Sequence, residues 1–334
     1  VESHGFYQIL NYFIRRGYSY KLKFFEDYLD ILNKKNIDKI TCKYTDQADV
    51  FIGLAGTGLN AGKKMIKNNK IYICERASSH IIFQEKILAE EYKEFNQPKF
   101  IINKWFIDRE LEEYEEADII LVPSFFVKKS FEKYYTKKVH FISFGVNLEN
   151  FFPTDGIKKD DKFFDILFIG GLSIRKGLHY LIEAFHKFDH PNKRLHIVGS
   201  HTQDKNFFND KLKHDKIFVH GHINHLKLKE IISKSHVFAL PSLEEGFACV
   251  IFQALACGCP VIVSENTGAE EIVNKNKCGF VVPIRNAQTI SDRFTLLADN
   301  KNLLNECSAN ALKLAKNNTW EHYVNKLNDL ILSK

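Results

Sequence analysis

A chain of 334 residues, 45% hydrophobic and 26% charged, has room for two domains with substantial cores and the composition of a soluble globular protein. Its net charge of +6 is spread among interspersed acids, which argues against a nucleic-acid binder, and no apolar run approaches the 18 residues of a membrane span. Seven cysteines, an odd number without a CxxC pair, read as free thiols of a reducing cytoplasm; no signal peptide is visible, and a first residue, Val1, that is not Met raises the expectation of a truncated start.

In chain order, Phe6, Leu10, Phe13 and Ile14 recur at helical spacing and predict a helix over 6–16. Strands are expected at 50–54, 71–74, 119–122 and 139–142, with helices at 85–95 and 127–135 between them. Residues 147–162 hold Pro153, Gly156 and the run Lys158-Lys159-Asp160-Asp161-Lys162, a composition that suits a domain boundary. The alternation then resumes, with strands at 166–169, 195–198, 217–219, 237–240 and 261–263. Leu178, Leu181, Ile182 and Phe185 mark an amphipathic helix. Short, nearly all-apolar strands separated by helices predict parallel sheets covered on both faces, with ligands at the strands' C-terminal ends. Two such units joined by one linker predict a cleft.

The chemistry concentrates in the second unit. After Pro241-Ser242, the chain presents Glu244, Glu245 and Gly246 and then opens an apolar helix. A carboxylate beside the free N–H groups of a helix start is a place to hold a polar, partly anionic ligand. Gln253 follows Glu245 by eight residues, about two helical turns, so both are expected to face one cleft. Arg175 and Lys176 precede a helix at another strand end and are candidate phosphate cations. Ala55-Gly56-Thr57-Gly58-Leu59-Asn60-Ala61-Gly62-Lys63-Lys64 is not a P-loop, because its glycine spacing is wrong and no Ser or Thr follows Lys63. It reads as a cleft-facing turn in which Gly56 and Thr57 approach a ligand. His220, His222 and His225 lack adjacent thiolate or acidic partners, so no metal site is expected.

Three blocks together resemble the C-terminal domain of retaining GT-B glycosyltransferases, family 4. They are Phe168-Ile169-Gly170-Gly171-Leu172-Ser173-Ile174-Arg175-Lys176-Gly177-Leu178, Val219-His220-Gly221-His222-Ile223, and the glutamate segment from Pro241 to Gln253. Upstream, Ala117-Asp118-Ile119-Ile120-Leu121-Val122-Pro123-Ser124 and Ile142-Ser143-Phe144-Gly145-Val146-Asn147 resemble the family's approach to its hinge. Glu75-Arg76-Ala77-Ser78-Ser79-His80-Ile81 is similar to a loop of one branch. The resemblance implies an α/β, GT-B fold of two Rossmann-like doubly wound domains facing a cleft. Residues 1–152 would form the acceptor side, 153–315 the nucleotide-sugar side, and 316–334 a helix crossing back.

It further implies a cytoplasmic retaining glycosyltransferase that needs no metal or cofactor. A nucleotide-diphosphate sugar would be the donor and a glycan or lipid-linked hydroxyl the acceptor, with peripheral attachment at the inner face of the membrane left open and no nucleic-acid partner. Glu245, Lys176 and His80 take the catalytic places, Glu245 by orienting the donor sugar. Gly170, Gly171, Arg175, Ile223, Gly246, Phe247, Ala248, Gln253, Arg76, Gly56 and Thr57 bind substrate, while Glu244 is a bystander. Gly171 stands where the family has arginine and Gln253 where it has glutamate, which removes one phosphate cation and weakens a ribose acceptor. Two further readings stay open on this scaffold: a non-catalytic nucleotide-sugar or sugar-binding protein, and a GT-B phosphorylase or epimerase.

Overall fold

The computed structural model describes residues 23–135 and 139–334, so the helix expected over 6–16 lies outside the described residues. The first lobe runs α1 (Lys23–Thr41), β1 (Val50–Leu54), α2 (Leu59–Lys67), β2 (Ile71–Glu75), α3 (Ile81–Glu94), α4 (Lys104–Glu116), β3 (Ile119–Val122), α5 (Phe125–Glu132) and β4 (Val139–Phe141). Its four strands pair in parallel in the order β1-β2-β3-β4. The second lobe runs β5 (Phe164–Ile169), α6 (Leu178–Lys187), β6 (Lys193–Val198), α7 (Lys205–Phe208), β7 (Ile217–Gly221), α8 (His225–Lys234), β8 (Val237–Leu240), α9 (Cys249–Ala256), β9 (Val261–Ser264), α10 (Glu270–Asn276), β10 (Gly279–Val282), α11 (Ala287–Asp299) and α12 (Lys301–Lys316). A last helix, α13 (Trp320–Leu332), follows.

The second sheet is also parallel, with strand order β10-β9-β8-β5-β6-β7. From β5 the chain winds outward through β6 and β7, then returns to β8 on the other side and winds out to β10. The order therefore reverses between β5 and β8, and in an open parallel sheet that reversal leaves a crevice at the strands' C-terminal ends. β5, β8 and β9 are buried at every position. Full burial on both faces is why these strands read as nearly continuous apolar runs, interrupted only by Asp165 and Ser264, rather than alternating ones.

α4 escapes hydrophobic periodicity because its buried positions are Arg109, Glu110, Glu113 and Tyr114. Arg109 and Glu113 are occupied within the first lobe. Arg109 donates to Asp38 at 2.6 Å and to the Gly56 carbonyl at 2.9 Å, while Glu113 accepts from the backbone N–H groups of Gly56 and Gly58. α13 lays Tyr323, Leu327, Leu330 and Ile331 against Ile73, Ile119, Leu121 and Ile142, covering one face of the first-lobe sheet. Tyr323 also donates its hydroxyl to Glu75 at 3.0 Å. Five of the seven cysteines are buried and two half-buried, all as free thiols.

Candidate functional site

The loops after β5 and β8 meet at the reversal point. After β5 the chain turns through Gly177, whose φ of +64° and a would-be Cβ only 1.9 Å from the Pro241 carbonyl leave room for glycine alone. That turn starts α6 immediately after Lys176. α6 and α9 both begin without a side-chain cap, whereas His80, Asn103 and Ser124 cap α3, α4 and α5. The starts of α6 and α9 therefore keep N–H groups and a positive dipole end without a side-chain acceptor.

Lys176 Nζ bonds Glu245 Oε2 closely, and Arg175 Nη1 donates to the same oxygen at 3.2 Å and to the Glu244 carbonyl at 3.0 Å. Burial pulls the Lys176 pKa down and Glu245 only partly offsets it. Arg175 is also buried against its charge, but Glu245 and Glu244 hold its pKa up. The two cations thus share Glu245, and Arg175 also lies 3.5 Å from Glu244, so the cluster is charge-balanced and would meet an anionic ligand through the remaining N–H donors of Lys176 and Arg175. Gly170 packs against the Lys176 stem, where a Cβ would lie 3.6 Å from Cε.

Arg175 and Lys176 form part of the wall of a cleft of about 800 Å³ between the lobes. The second lobe lines it with polar groups, among them Gly171, Ser173, Thr202 and Asn206. The first lobe supplies an apolar wall of Leu88, Tyr92, Phe100, Ile102 and Phe106, with Lys34, Gln84 and Glu110 among its polar groups. Glu245 lies beside Lys176 and Arg175, partly exposed, with its Oε2 turned to both cations. Gln253 is half-buried on α9, and its Oε1 is buried without a hydrogen-bond partner among the described residues.

Several expected site residues sit elsewhere. His80 is fully buried, with its ring 4.8 Å from Tyr134, 4.9 Å from Phe131 and 5.4 Å from Tyr114. Its Nδ1 accepts from Ile82 N–H at 3.3 Å, so it is a helix cap inside the first-lobe core and not a cleft residue. Burial, then Arg76, pushes its pKa down to about 4 and keeps the imidazole neutral. Arg76 is held behind the wall by Glu110 at 3.0 Å, Gln84 at 2.9 Å and the Ser79 carbonyl at 3.1 Å. The Gly56–Thr57 turn is not an open cradle. Glu113 already takes the Gly56 and Gly58 N–H groups, and Thr57 Oγ1 donates to the Leu54 carbonyl at 2.6 Å.

Ile223 packs against the second-lobe core, outside the cleft lining. Phe247 is a core side chain whose ring lies tilted against Phe252 at 5.0 Å, followed by Ala248 at the start of α9. Gly246 touches the other lobe, since its carbonyl accepts from Ser124 Oγ at 2.6 Å. Glu244 is no bystander: it is fully buried and accepts from Ser78, Ser79 and Gln84 of the first lobe. Two adjacent glutamates in a loop carry no periodicity that could have told their directions apart. Among the described residues no group of three or more His, Cys, Asp or Glu is placed to hold a metal.

Residues 152–314 match the family model for glycosyl transferases group 1. An uncharacterized glycosyltransferase of Methanocaldococcus jannaschii is 33% identical over 159 residues, 44% of this chain and 40% of that protein. A Campylobacter jejuni N,N'-diacetylbacillosaminyl-diphospho-undecaprenol alpha-1,3-N-acetylgalactosaminyltransferase is 26% identical over 208 residues, 57% of this chain and 54% of its own length. These alignments thus span roughly half or less of either curated relative. Among solved structures, sucrose-phosphate synthase from Thermosynechococcus elongatus superposes with a TM-score of 0.75 at 18% identity, covering 90% of this chain and 78% of that one. Anabaena HepE in complex with UDP-glucose gives a TM-score of 0.70 at 16% identity, over 89% of this chain and 82% of that one. The fold is GT-B, two Rossmann-like lobes facing a cleft.

Proposed function

We propose that this chain is a metal-independent, retaining glycosyltransferase. It moves a sugar from a nucleotide-diphosphate sugar to a hydroxyl of a glycan or glycolipid. One observation carries the reading: Lys176 and Arg175 converge on Glu245 at the strand-order reversal between β5 and β8, on a cleft wall facing the other lobe. The HepE complex holds UDP-glucose, and the Campylobacter relative is named for an undecaprenol-linked acceptor, which supports a nucleotide-sugar donor and a lipid-linked acceptor here. No helix of the described residues is long and apolar enough to cross a membrane, and the reading places the protein in the cytoplasm with peripheral attachment to the inner membrane face.

In this mechanism the bond between the anomeric carbon and the phosphate oxygen breaks, and its electron pair leaves with the diphosphate. Lys176, Arg175 and the uncapped start of α6 stabilise that developing negative charge. Glu245 accepts hydrogen bonds from the sugar and fixes its orientation. The acceptor hydroxyl attacks the same face and its proton passes to the departing phosphate oxygen, which gives retention. Lys176→Ala and Glu245→Ala are expected to lower kcat for transfer about 100- to 1000-fold, the usual size for removing one preorganised partner of developing charge. Circular dichroism would verify that the fold persists. Unchanged turnover in both variants, assayed over a panel of nucleotide sugars and acceptors, overturns the assignment.

A further inference from the structure

We propose that Glu244 is a positioning residue that holds the two walls of the cleft in register. Its role in turnover rests on the transferase reading above, but its contacts do not. The carboxylate is fully buried, yet almost every donor it uses comes from the opposite lobe. Oε1 accepts from Ser78 Oγ at 2.6 Å, Ser79 N–H at 2.9 Å and Ser79 Oγ at 2.8 Å, and Oε2 accepts from Gln84 Nε2 at 3.0 Å. Its own lobe contributes Arg175, whose Nη1 lies 3.5 Å from Oε2 and 3.2 Å from Glu245 Oε2.

A continuous chain of polar contacts therefore runs from the β2–α3 loop through Glu244 and Arg175 to Glu245 and Lys176. The backbone is shaped for the same contact. A Cβ at Gly246 would lie 1.8 Å from the Ala77 carbonyl, so the two loops touch at a position that only glycine allows. A buried carboxylate is costly to strip of its donors, and separating the lobes would remove four of them at once. Arg175 gains as well: with Glu244 in place its guanidinium is fixed beside Glu245 instead of being free to swing into the cleft. Burial opposes the charge on Glu244, but Arg175, Ser78 and Ser79 keep its pKa below the usual carboxylate range, so it stays ionised at neutral pH.

The test uses the full chain and three variants: Glu244→Ala, Glu244→Gln and the double variant Ser78→Ala with Ser79→Ala. Small-angle scattering would report lobe separation, UDP titration the intact second-lobe site, and steady-state kinetics the split between kcat and KM. Glu244→Ala and the serine double variant are expected to raise the radius of gyration and to lower kcat roughly 100-fold, the scale of an ångström misplacement. UDP affinity should stay within about threefold. Glu244→Gln keeps an oxygen for the serines and should restore most of kcat. An unchanged radius in the alanine and serine variants, or a loss that tracks only the folded fraction with kcat per folded molecule unaltered, overturns the proposal. If the wild-type chain transfers no sugar, the transferase reading fails separately and the scattering comparison alone decides the role of Glu244.

Discussion

Arg175, Lys176 and Glu245 were legible in the sequence because each follows a short apolar strand and precedes a helix, a context that confines a side chain to the sheet's C-terminal edge. His80 was not, because the same strand-to-helix context suits a helix cap equally well, and only the surrounding Tyr114, Phe131 and Tyr134 rings decide it. Its burial makes a pH prediction. The folded imidazole is held down to about 4 from an ordinary value of 6.5. On acidification the unfolded chain therefore takes the proton first. Stability is complete above about pH 6.5 and is lost as pH falls through 6.5 toward 4, by about 2–3 kcal/mol over the window. His80→Asn keeps a capping acceptor for Ile82 N–H and removes the titration. Urea unfolding at pH 7 and pH 4.5 should show a smaller loss in the variant, and equal losses would count against a buried neutral histidine. Gly246 gives a second residue-scale test. Gly246→Ala forces a methyl against the Ala77 carbonyl, a backbone atom that cannot rotate away, and should cost about 1–3 kcal/mol in the same assay.

Elements were legible in proportion to how apolar their buried faces are. β5, β8 and β9 are buried throughout and read as such, whereas α4 buries Arg109, Glu110 and Glu113 and gives no periodic signal. Its charges are solved by tertiary partners, Asp38, Arg76 and the Gly56 and Gly58 N–H groups, and no local sequence window contains those partners. α13 is the opposite case: no residue of it is fully buried, yet it covers the fully buried Ile73 and Ile119. Leu327→Ala and Ile331→Ala should each cost about 1–2 kcal/mol, below the range for fully buried sites because both side chains are half-exposed. Their effects should add only in part, since both lean on one small apolar cluster. Chemical denaturation of the single and double variants measures this, and a change below about 0.5 kcal/mol in the double variant would mean that α13 is dispensable to the sheet beneath it.

At the scale of the molecule, α3 decides whether the lobes behave as one body. It belongs to the first lobe in sequence but meets the second lobe along its length. Gln84 reaches Glu244 at 3.0 Å, Glu91 is fully buried between His179 at 3.0 Å and Arg285 at 2.6 Å, and Tyr92 donates to Asp204 at 2.8 Å. Just past the helix, Phe95 packs its ring 4.7 Å from His179 and 5.5 Å from Phe207. Tyr92 is counted within the hydrophobic core of the second lobe itself. Melting either lobe would strand a buried carboxylate or a core aromatic in the other, so their unfolding is coupled. Two-lobe proteins often melt in steps, but this contact set predicts one calorimetric transition, with a calorimetric enthalpy close to the van't Hoff value. Phe95→Ala combined with Tyr92→Phe removes the aromatic anchor and the Tyr92 hydroxyl's cross-lobe bonds to Asp204 and Gln203, while Asp204 keeps the Ile174 N–H as a donor. That variant should split the endotherm in two. Because the proposed donor site lies on the second lobe, UDP at about 100 times its Kd should then raise only one of the two transitions, by the equivalent of about 2.7 kcal/mol. A single transition persisting in the variant would show that the aromatic end of α3 is not what couples the lobes, and movement of both transitions with UDP would place nucleotide contacts on the first lobe as well.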